Sequence, residues 1–446
     1  MDSVLLSRML FGTSMAFHII FATLGVGVTL MIFFAELMHW IRKDRDYGVM
    51  AKRWTKGFAI LLGVAIPSGT IVGVMLSLLW PGFMEIVGKV IAVPFQIEIF
   101  AFFLEAVFMS IYVYAADRLS SVMRIISVAV VAFGASSSAV LINIAHSWMN
   151  TPAGFQLTDG RVTDVDPWAA VLNASMPVTS KHVLATAYMT GAFVLVSIAA
   201  YRLLRKASSD AERTYHKKGL MLALAVALLA SIYTAANGHD TAKMLHNEMP
   251  LKLAAAEGLF ETQASAPLAI MGIPDPEQEA VVGGIEIPGM LSWLATGSTD
   301  GVVQGLNDFP QDEWPPLFVH TLFNLMVGIG FSLIGIAGFA LLWSIFFRKR
   351  GFPAWLLILL IATGPLSMLG IEFGWIFSCV ARQPWTIYGI QLTSNAATQS
   401  GNIGILFILF ITLYIVLLVL TSLVLKYFFS RNPLQRELTV SNGEAF

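Results

Sequence analysis

The chain has 446 residues, of which 57% are apolar and only 12% are Asp, Glu, Lys or Arg. A soluble domain carries about 25% charged residues, so this composition excludes a soluble globular protein and indicates an integral membrane protein. The formal charge of −1 argues against a nucleic-acid partner, and a single cysteine, Cys379, excludes an internal disulfide and a CxxC site. A redox function would therefore need a bound cofactor.

Nine apolar stretches are long enough to cross a bilayer core, which takes about 20 residues in a helix. They lie at 10–38, 55–79, 93–115, 124–145, 183–204, 219–236, 316–347, 353–378 and 402–428. A lipid-facing backbone must satisfy its own hydrogen bonds, so all nine are predicted to be helices. The first stretch is too long for the apolar core of a signal peptide and is interpreted as a retained span. The predicted fold is thus an all-α integral membrane protein with about nine transmembrane helices and one long extracytoplasmic loop.

Basic residues indicate the orientation of these helices. They concentrate in 40–56, 202–218 and 348–350, which the positive-inside rule places in the cytoplasm, with the N-terminus outside and the C-terminus cytoplasmic. Segment 237–315 then lies outside, and its twelve acids against two lysines give it a net charge of −10. We therefore divide the chain into helices 1–6 (1–236), an extracytoplasmic loop (237–315), and helices 7–9 with a cytoplasmic tail (316–446).

Two histidines and one methionine are candidates for haem iron. His18 lies about 13 Å into the first span and is interpreted either as a neutral core histidine or as an axial haem ligand. His182 opens the fifth span, and Met326 lies about ten residues into the seventh, so both fall in the outer third of the membrane. A His/Met pair would hold a six-coordinate, electron-transferring haem, although Met326 taken alone is typical of core packing.

Two carboxyl groups, Glu98 and Glu105, lie seven residues apart on the third span and so share one helix face. One interpretation is a hydrogen bond between helices. Because bare carboxyl groups among Phe and Leu are costly in a membrane, we favour a proton relay, or a ligand together with a relay.

The eighth span places Glu372 and Cys379 on one face and Arg382 at its outer end. The arginine is expected either to snorkel to the interface or to pair with haem propionates, which guanidinium binds well. In the outer loop, Lys252 and Glu257 form either a solvent-exposed pair or a site that holds quinol oxygens and accepts their protons. His39, His216, His239 and His246 are interpreted as solvated bystanders.

Taken together, these residues make the chain resemble subunit I of the cytochrome bd family of quinol:dioxygen oxidoreductases. The matching stretches run through the chain in order: Ser7-Arg8 through His18 and Gly25, Ile97-Glu98 to Glu105 with Asp117-Arg118, Trp148-Met-Asn-Thr-Pro152, His182 through Tyr188-Met-Thr-Gly191, Pro250-Leu-Lys252 through Glu257, Phe323-Asn-Leu-Met326-Val-Gly, and Arg382-Gln-Pro-Trp385.

The resemblance implies a role for each matching position. His182 and Met326 would bind a low-spin haem b, and His18 would be the axial ligand of one of two high-spin haems. Glu98 and Glu105 would lie near the dioxygen-reducing site and its proton supply, and Lys252 with Glu257 in the quinol-oxidising loop. Arg382 would act at the catalytic centre and, with Trp385, line a haem site. The family carries two haems b and one haem d, in complex with a second membrane subunit and in some cases a small single-span subunit.

Three positions depart from the family pattern. Cys379 stands where a glutamate associated with a high-spin haem is usual, Ala381 replaces a glycine, and Asn324 replaces an arginine two residues before the methionine ligand. The iron ligand is therefore either Cys379, as a thiolate that lowers the potential, or Glu98, which we prefer. These departures also leave open whether the third haem is a d or a third b.

The resulting hypothesis is a bacterial cell-membrane subunit that oxidises quinol outside, reduces dioxygen to water with cytoplasmic protons, and so separates charge without pumping. One rival is a haem b membrane anchor that relays electrons between quinone and another redox protein; it would need His182 and Met326 but not His18 or the buried carboxyl groups. A second rival is a proton-coupled transporter that uses Glu98 and Glu105 and binds no haem.

Overall fold

The computed structural model describes residues 3–115, 118–205 and 209–440; Asp117, named above, and residues 206–208 of the basic segment 202–218 lie outside the described residues. Within these ranges, nine helices are long and apolar enough to cross a membrane. They are α1 (Ser3–Arg42), α2 (Arg45–Leu79), α4 (Ala92–Ala115), α5 (Ser121–Asn150), α7 (Met176–Leu204), α8 (Asp210–Glu248), α11 (Val319–Phe346), α12 (Ala354–Val380) and α14 (Ile403–Arg431). The predicted nine-helix fold class is confirmed.

The main difference from the predicted bounds is at the end of α8. The prediction ended this span at residue 236, but the helix continues for twelve residues to Glu248 and stops before Pro250. Polar residues such as Asp240 and Lys243 lower the hydropathy there without breaking the helix, because both are tolerated on an exposed helix face. The segment predicted as a loop therefore begins with twelve residues of helix, and its start outside the membrane at 237 stays a prediction.

Small residues allow the helices that carry the two candidate histidines to pack backbone to backbone. A Cβ added to Gly27 of α1 would lie 2.2 Å from the carbonyl oxygen of Ala187 of α7, and one added to Gly191 would lie 2.4 Å from the carbonyl carbon of Gly27. Close approach at glycine is a common way for membrane helices to associate. This crossing fixes α1 against α7 and thereby fixes the relative placement of His18 and His182.

The segment between α8 and α11 is folded and packs on the helix ends. It holds α9 (Pro250–Glu257), α10 (Met290–Thr296) and six short strands: β3 (Gln263–Ala264), β4 (Leu268–Ile270), β5 (Ile273–Asp275), β6 (Ala280–Val282), β7 (Ile285–Ile287) and β8 (Val302–Val303). The strands pair antiparallel as β3 with β8, β4 with β7 and β5 with β6. Leu251 of α9 packs in one buried apolar cluster with Val319 of α11 and Phe377 of α12, so α9 is fixed against both helices.

Short elements complete the described chain. They are α3 (Pro81–Val90), the hairpin β1 (Gln156–Thr158) and β2 (Arg161–Thr163), α6 (Pro167–Val171), the hairpin β9 (Trp385–Ile387) and β10 (Gln391–Leu392), α13 (Thr393–Ala396) and α15 (Leu434–Val440). The backbone amide of Tyr388 donates to the carbonyl of Met149 at 3.0 Å, which ties the segment after α12 to the end of α5.

Ion pairs bring the basic segments before α2 and around the start of α8 to one end of the bundle. Lys218 of α8 lies 2.6 Å from the carboxylate of Asp46 at the start of α2, and Arg53 lies 3.2 Å from Glu437 of α15. His216, predicted to be solvated, is buried, and its Nε2 lies 3.7 Å from Glu212. The prediction of a solvated His216 was wrong, because the residues packed around α8 cover this side chain.

Candidate functional site

His18 has the hydrogen bonding that a metal-binding imidazole needs. Its Nδ1 lies 3.0 Å from Ser68 Oγ, and that hydroxyl itself donates to the carbonyl of Ala65 at 3.0 Å. With its hydrogen engaged, the Ser68 oxygen accepts from Nδ1–H, which leaves the lone pair on Nε2 free for a ligand. A Cβ on Gly69 would lie 2.9 Å from His18 Cε1 and 3.4 Å from Nε2. The glycine therefore keeps the space beside this nitrogen clear of side chain.

His182 and Met326 lie at similar depth on different helices. They are six and seven residues from the first residues of α7 and α11, or about 9 and 10 Å along the helices. Asn237 Nδ2 of α8 lies 3.4 Å from His182 Nδ1, so the second ring nitrogen is the one without a protein partner among the described residues. The sulfur of Met326 lies 2.9 Å from where a Cβ on Gly374 would stand, so α12 leaves room for this thioether.

Glu98 and Glu105 lie on one face of α4, as their spacing predicted. That face packs against α5. The Glu98 carboxylate accepts a hydrogen bond of 2.7 Å from Ser138 Oγ. Glu105 is buried, and the Cβ position of Gly134 is 3.3 Å from its Cβ. The interhelical hydrogen bond considered above therefore exists for Glu98, while Glu105 is held by close packing on a glycine.

A polar cluster that the sequence analysis missed lies deeper on the same face of α4. Tyr112 follows Glu105 by seven residues, and its hydroxyl donates to the buried carboxylate of Glu36 on α1. Arg124 Nε of α5 lies 3.7 Å from the other Glu36 oxygen. Glu36 was passed over because it stands at the end of the predicted span 10–38, where a charge is unremarkable in sequence.

Lys252 is buried, so the solvent-exposed pair with Glu257 does not occur. Its ammonium donates to Asn150 Oδ1 of α5 at 3.1 Å and to the carbonyl of Ser378 of α12 at 2.9 Å. Burial, together with the neighbouring charge of Arg382, lowers the pKa of Lys252 to about 7. The side chain thus joins α9 to the ends of two membrane helices.

Arg382 is buried beside Lys252 and has no carboxylate partner among the described residues, and the thiol of Cys379 lies near both cationic groups. Its Nε and Nη1 have no hydrogen-bond partner, and Nη2 has only the thioether of Met149, at 3.9 Å. Burial lowers the pKa of this guanidinium from its usual value. Two buried cationic groups without a carboxylate are costly unless an anion joins them. The pocket therefore fits a planar anionic group, and it excludes an arginine that merely snorkels to the interface.

Glu257, at the end of α9, is also buried, and its Oε2 has no hydrogen-bond partner within the described part of the chain. Burial raises the pKa of this carboxyl group to about 8. A buried carboxyl group with a free oxygen and a pKa near neutrality has the properties of a proton acceptor. Lys252 and Glu257 do not hydrogen-bond to each other, and each can still form a hydrogen bond with another group.

The end of α12 carries two further predicted residues, and Trp385 follows in the turn after it. Cys379 is exposed, whereas Glu372 is half-buried with Oε1 lacking a partner. The backbone amide of Trp385 donates to the carbonyl of Arg382 at 3.0 Å, which closes the turn after α12. Sequence reasoning missed His146 of α5, whose Nε2 lies 2.8 Å from Ser378 Oγ and whose ring packs edge-on against Trp375.

These observations fit porphyrin cofactors better than any other prosthetic group. The imidazole and thioether donors are haem ligands, glycines stand beside the His18 ring and the Met326 sulfur, and the unpaired Arg382 guanidinium matches a propionate. No cluster of three or more His, Cys, Asp or Glu side chains able to hold a bare metal ion occurs within residues 3–115, 118–205 and 209–440. The fold and site together define a multi-span membrane protein suited to binding haem.

Comparison with known proteins identifies the family. Residues 6–433 match the family model described as cytochrome bd terminal oxidase subunit I, so the chain belongs to that family. A cytochrome bd menaquinol oxidase subunit I of Bacillus subtilis (strain 168) is 54% identical over 443 residues, covering 99% of this chain and 100% of that protein. Cytochrome bd ubiquinol oxidase subunit 1 of the same organism is 30% identical over 441 residues, covering 96% and 93%. The solved bd oxidase of Geobacillus thermodenitrificans superposes with a TM-score of 0.92 at 44% identity, covering 97% and 99%.

Proposed function

We propose that this chain is the haem-binding subunit of a membrane oxidase that takes electrons from quinol and reduces dioxygen to water. The observation that carries the proposal is the buried pair Lys252 and Arg382, which has no carboxylate partner among the described residues; Glu257, at the end of the same helix α9 as Lys252, is buried as well. Family membership supports the same activity, since relatives are named quinol oxidases. The 54% identical relative is named for menaquinol, which favours menaquinol as the substrate here.

Each set of residues has a distinct role in this proposal. The haems, two of type b and a third of type d or b, supply reversible electron transfer and the site where dioxygen is reduced. His182 and Met326 hold the low-spin haem, His18 holds a high-spin haem, and Arg382 neutralises propionates with Trp385 closing the turn beside it. Glu98 rather than Cys379 supplies the further iron ligand, because its carboxylate already faces the bundle interior.

At the quinol site, Lys252 donates a hydrogen bond to a quinol oxygen and Glu257 accepts a proton. Glu105, deeper on α4, holds a proton for the dioxygen-reducing site. If quinol protons leave outside and the consumed protons come from the cytoplasm, each turnover separates charge, which stores about 2.3 kcal/mol per charge at 100 mV. This requires the orientation predicted from the basic segments, with the N-terminus outside and the tail cytoplasmic in a bacterial cell membrane.

The chain is proposed to act with a second membrane subunit, and in some assemblies with a small single-span subunit. The outer face of α14 exposes large apolar side chains, including Ile405, Ile408 and Leu409. Lipid or a neighbouring helix would cover such a face. Dioxygen and quinol are the small-molecule partners. The alternative function, a haem b anchor that only relays electrons, is less well supported because Glu98 and Glu105 would then have no role.

The pH dependence of quinol oxidation tests this function. Because Glu257 must be ionised to accept a proton and burial raises its pKa to about 8, the rate with quinol should rise from pH 7 to about pH 9 and then level off. The measurement is oxygen uptake by the purified oxidase with a soluble quinol across this range. Glu257→Gln should remove the rise, whereas Glu261→Gln, at an exposed position on the same segment, should retain it. No quinol-driven oxygen uptake at any pH would refute the function.

A further inference from the structure

His320 is a buried histidine for which the mechanism above gives no role. It is the second residue of α11, six residues before Met326, and its side chain is fully buried. Its Nδ1 lies 2.8 Å from the carbonyl oxygen of Ala256, the residue that precedes Glu257. Gly258, with φ of +67°, follows directly, and a Cβ there would stand 3.4 Å from the same nitrogen. The ring is thus fitted against the end of α9.

Its second ring nitrogen faces two different partners. Nε2 lies 3.3 Å from the side-chain amide nitrogen of Asn324 and 3.2 Å from the carbonyl oxygen of Met271. A neutral ring, with its hydrogen on Nδ1, accepts from the Asn324 amide at Nε2. A protonated ring instead donates from Nε2 to Met271. The site therefore offers Nε2 a hydrogen-bond partner in either charge state.

Asn324, one of the three departures from the family pattern, keeps this site assembled. Its Oδ1 accepts from the backbone amide of Met271 at 2.8 Å, and its amide nitrogen donates to the carbonyl of His320 at 3.2 Å. Met271, at the turn between β4 and β5, is 54% exposed. His320 thus lies between a buried partner next to Glu257 and an exposed turn of the loop.

Among the ionisable groups on the elements packed around it, His320 is the one whose ring contacts both the end of α9 and the loop turn at Met271. On α9, Lys252 is engaged with Asn150 and Ser378, and Glu257 carries the unpartnered oxygen. On the loop, Asp275 accepts from the amides of its own turn, Glu277 and Gln278. On α11, no other residue of Val319–Phe346 is ionisable.

We propose that His320 is a proton-relay residue of the quinol-oxidising site. Quinol loses two electrons, which the haem held by His182 and Met326 would take up one at a time, and two protons; one proton goes to Glu257, and the other goes to His320, which releases it past Met271 to the water outside. The inference rests on the proposed function, because it assigns a destination to the second quinol proton. Asn324 is a positioning residue, which acts by holding the Met271 turn against the imidazole.

The test compares His320→Gln with Asn324→Ala in the complete oxidase. Glutamine can donate to Ala256 and accept from Asn324, but it cannot take up a proton. We expect His320→Gln to lower kcat with quinol by about a hundredfold with KM and the low-spin haem spectrum unchanged. Asn324→Ala should mainly raise KM, because the loop turn loses its anchor while His320 keeps its ability to be protonated.

A second measurement does not depend on quinol turnover. The midpoint potential of the low-spin haem should fall as pH rises, and His320→Gln should flatten that slope while Asn324→Ala keeps it. An unchanged slope and unchanged turnover in His320→Gln would overturn the relay, as would loss of the haem itself, which would make His320 structural. If the unsubstituted oxidase fails to use quinol, the proposed function falls, but the potential measurement still decides whether His320 takes up a proton near the haem.

Discussion

Replacing Met326 by leucine should abolish the low-spin haem signal. It should also lower quinol-driven oxygen uptake by about 10- to 100-fold, the cost typical of disturbing a metal site. Leucine has nearly the volume of methionine but no sulfur, so the sixth iron ligand is lost while the helix packing beside Gly374 is kept. Optical spectra of the reduced oxidase measure the loss directly. The high-spin signals should persist, because His18 belongs to a different site.

Met189→Leu is the matched control for this substitution. Met189 lies on α7, the helix that carries His182, and is buried in an apolar cluster that includes neither His182 nor Met326. Its replacement should leave both spectrum and turnover unchanged. A normal low-spin spectrum in Met326→Leu would remove Met326 from the ligands, and equal loss in Met189→Leu would show that packing, not ligation, is responsible.

Substitution of Glu257 or Lys252 by glutamine should slow quinol oxidation by roughly 10²- to 10⁴-fold, the range contributed by a general base. Glu257→Gln removes the buried proton acceptor, and Lys252→Gln removes the ammonium that is anchored to Asn150 and Ser378. Both side chains lie on α9 at the proposed quinol site, so the two substitutions should slow only the transfer of electrons from quinol. Oxygen uptake driven by an artificial reductant that reaches the haems directly should be retained.

Comparing the two reductants distinguishes a quinol site from a general structural role. Glu261→Gln is the control, since Glu261 is exposed four residues after Glu257. Loss of oxygen uptake with both reductants would indicate that α9 supports the haems rather than the quinol. Full activity with quinol would refute the assignment of Lys252 and Glu257.

The parts of the structure that depend on local sequence could be predicted. Each apolar stretch identified its own helix, because the cost of a polar backbone in lipid depends only on that stretch. Glu98 and Glu105 were correctly placed on one face because helical periodicity fixes it. The end of α8 was missed because hydropathy detects where a helix leaves the membrane, not where the helix itself stops.

The composition of the buried pocket could not be predicted. Lys252 and Arg382 come from segments 130 residues apart in the sequence, and only packing of α9 against α12 brings them together. His146 and His320 carry no motif that marks them; their neighbours Ser378 and Ala256 were visible only in three dimensions. The family resemblance supplied roles for residues within motifs, but not for those between them.

The central claim is that this chain binds haem through His18, His182 and Met326. The most direct test is the optical spectrum of the purified oxidase, oxidised, reduced and reduced with carbon monoxide. We expect a low-spin component that does not react with carbon monoxide and a high-spin component that does. Low-spin signals alone would support an electron relay, and a colourless preparation without iron would contradict the account.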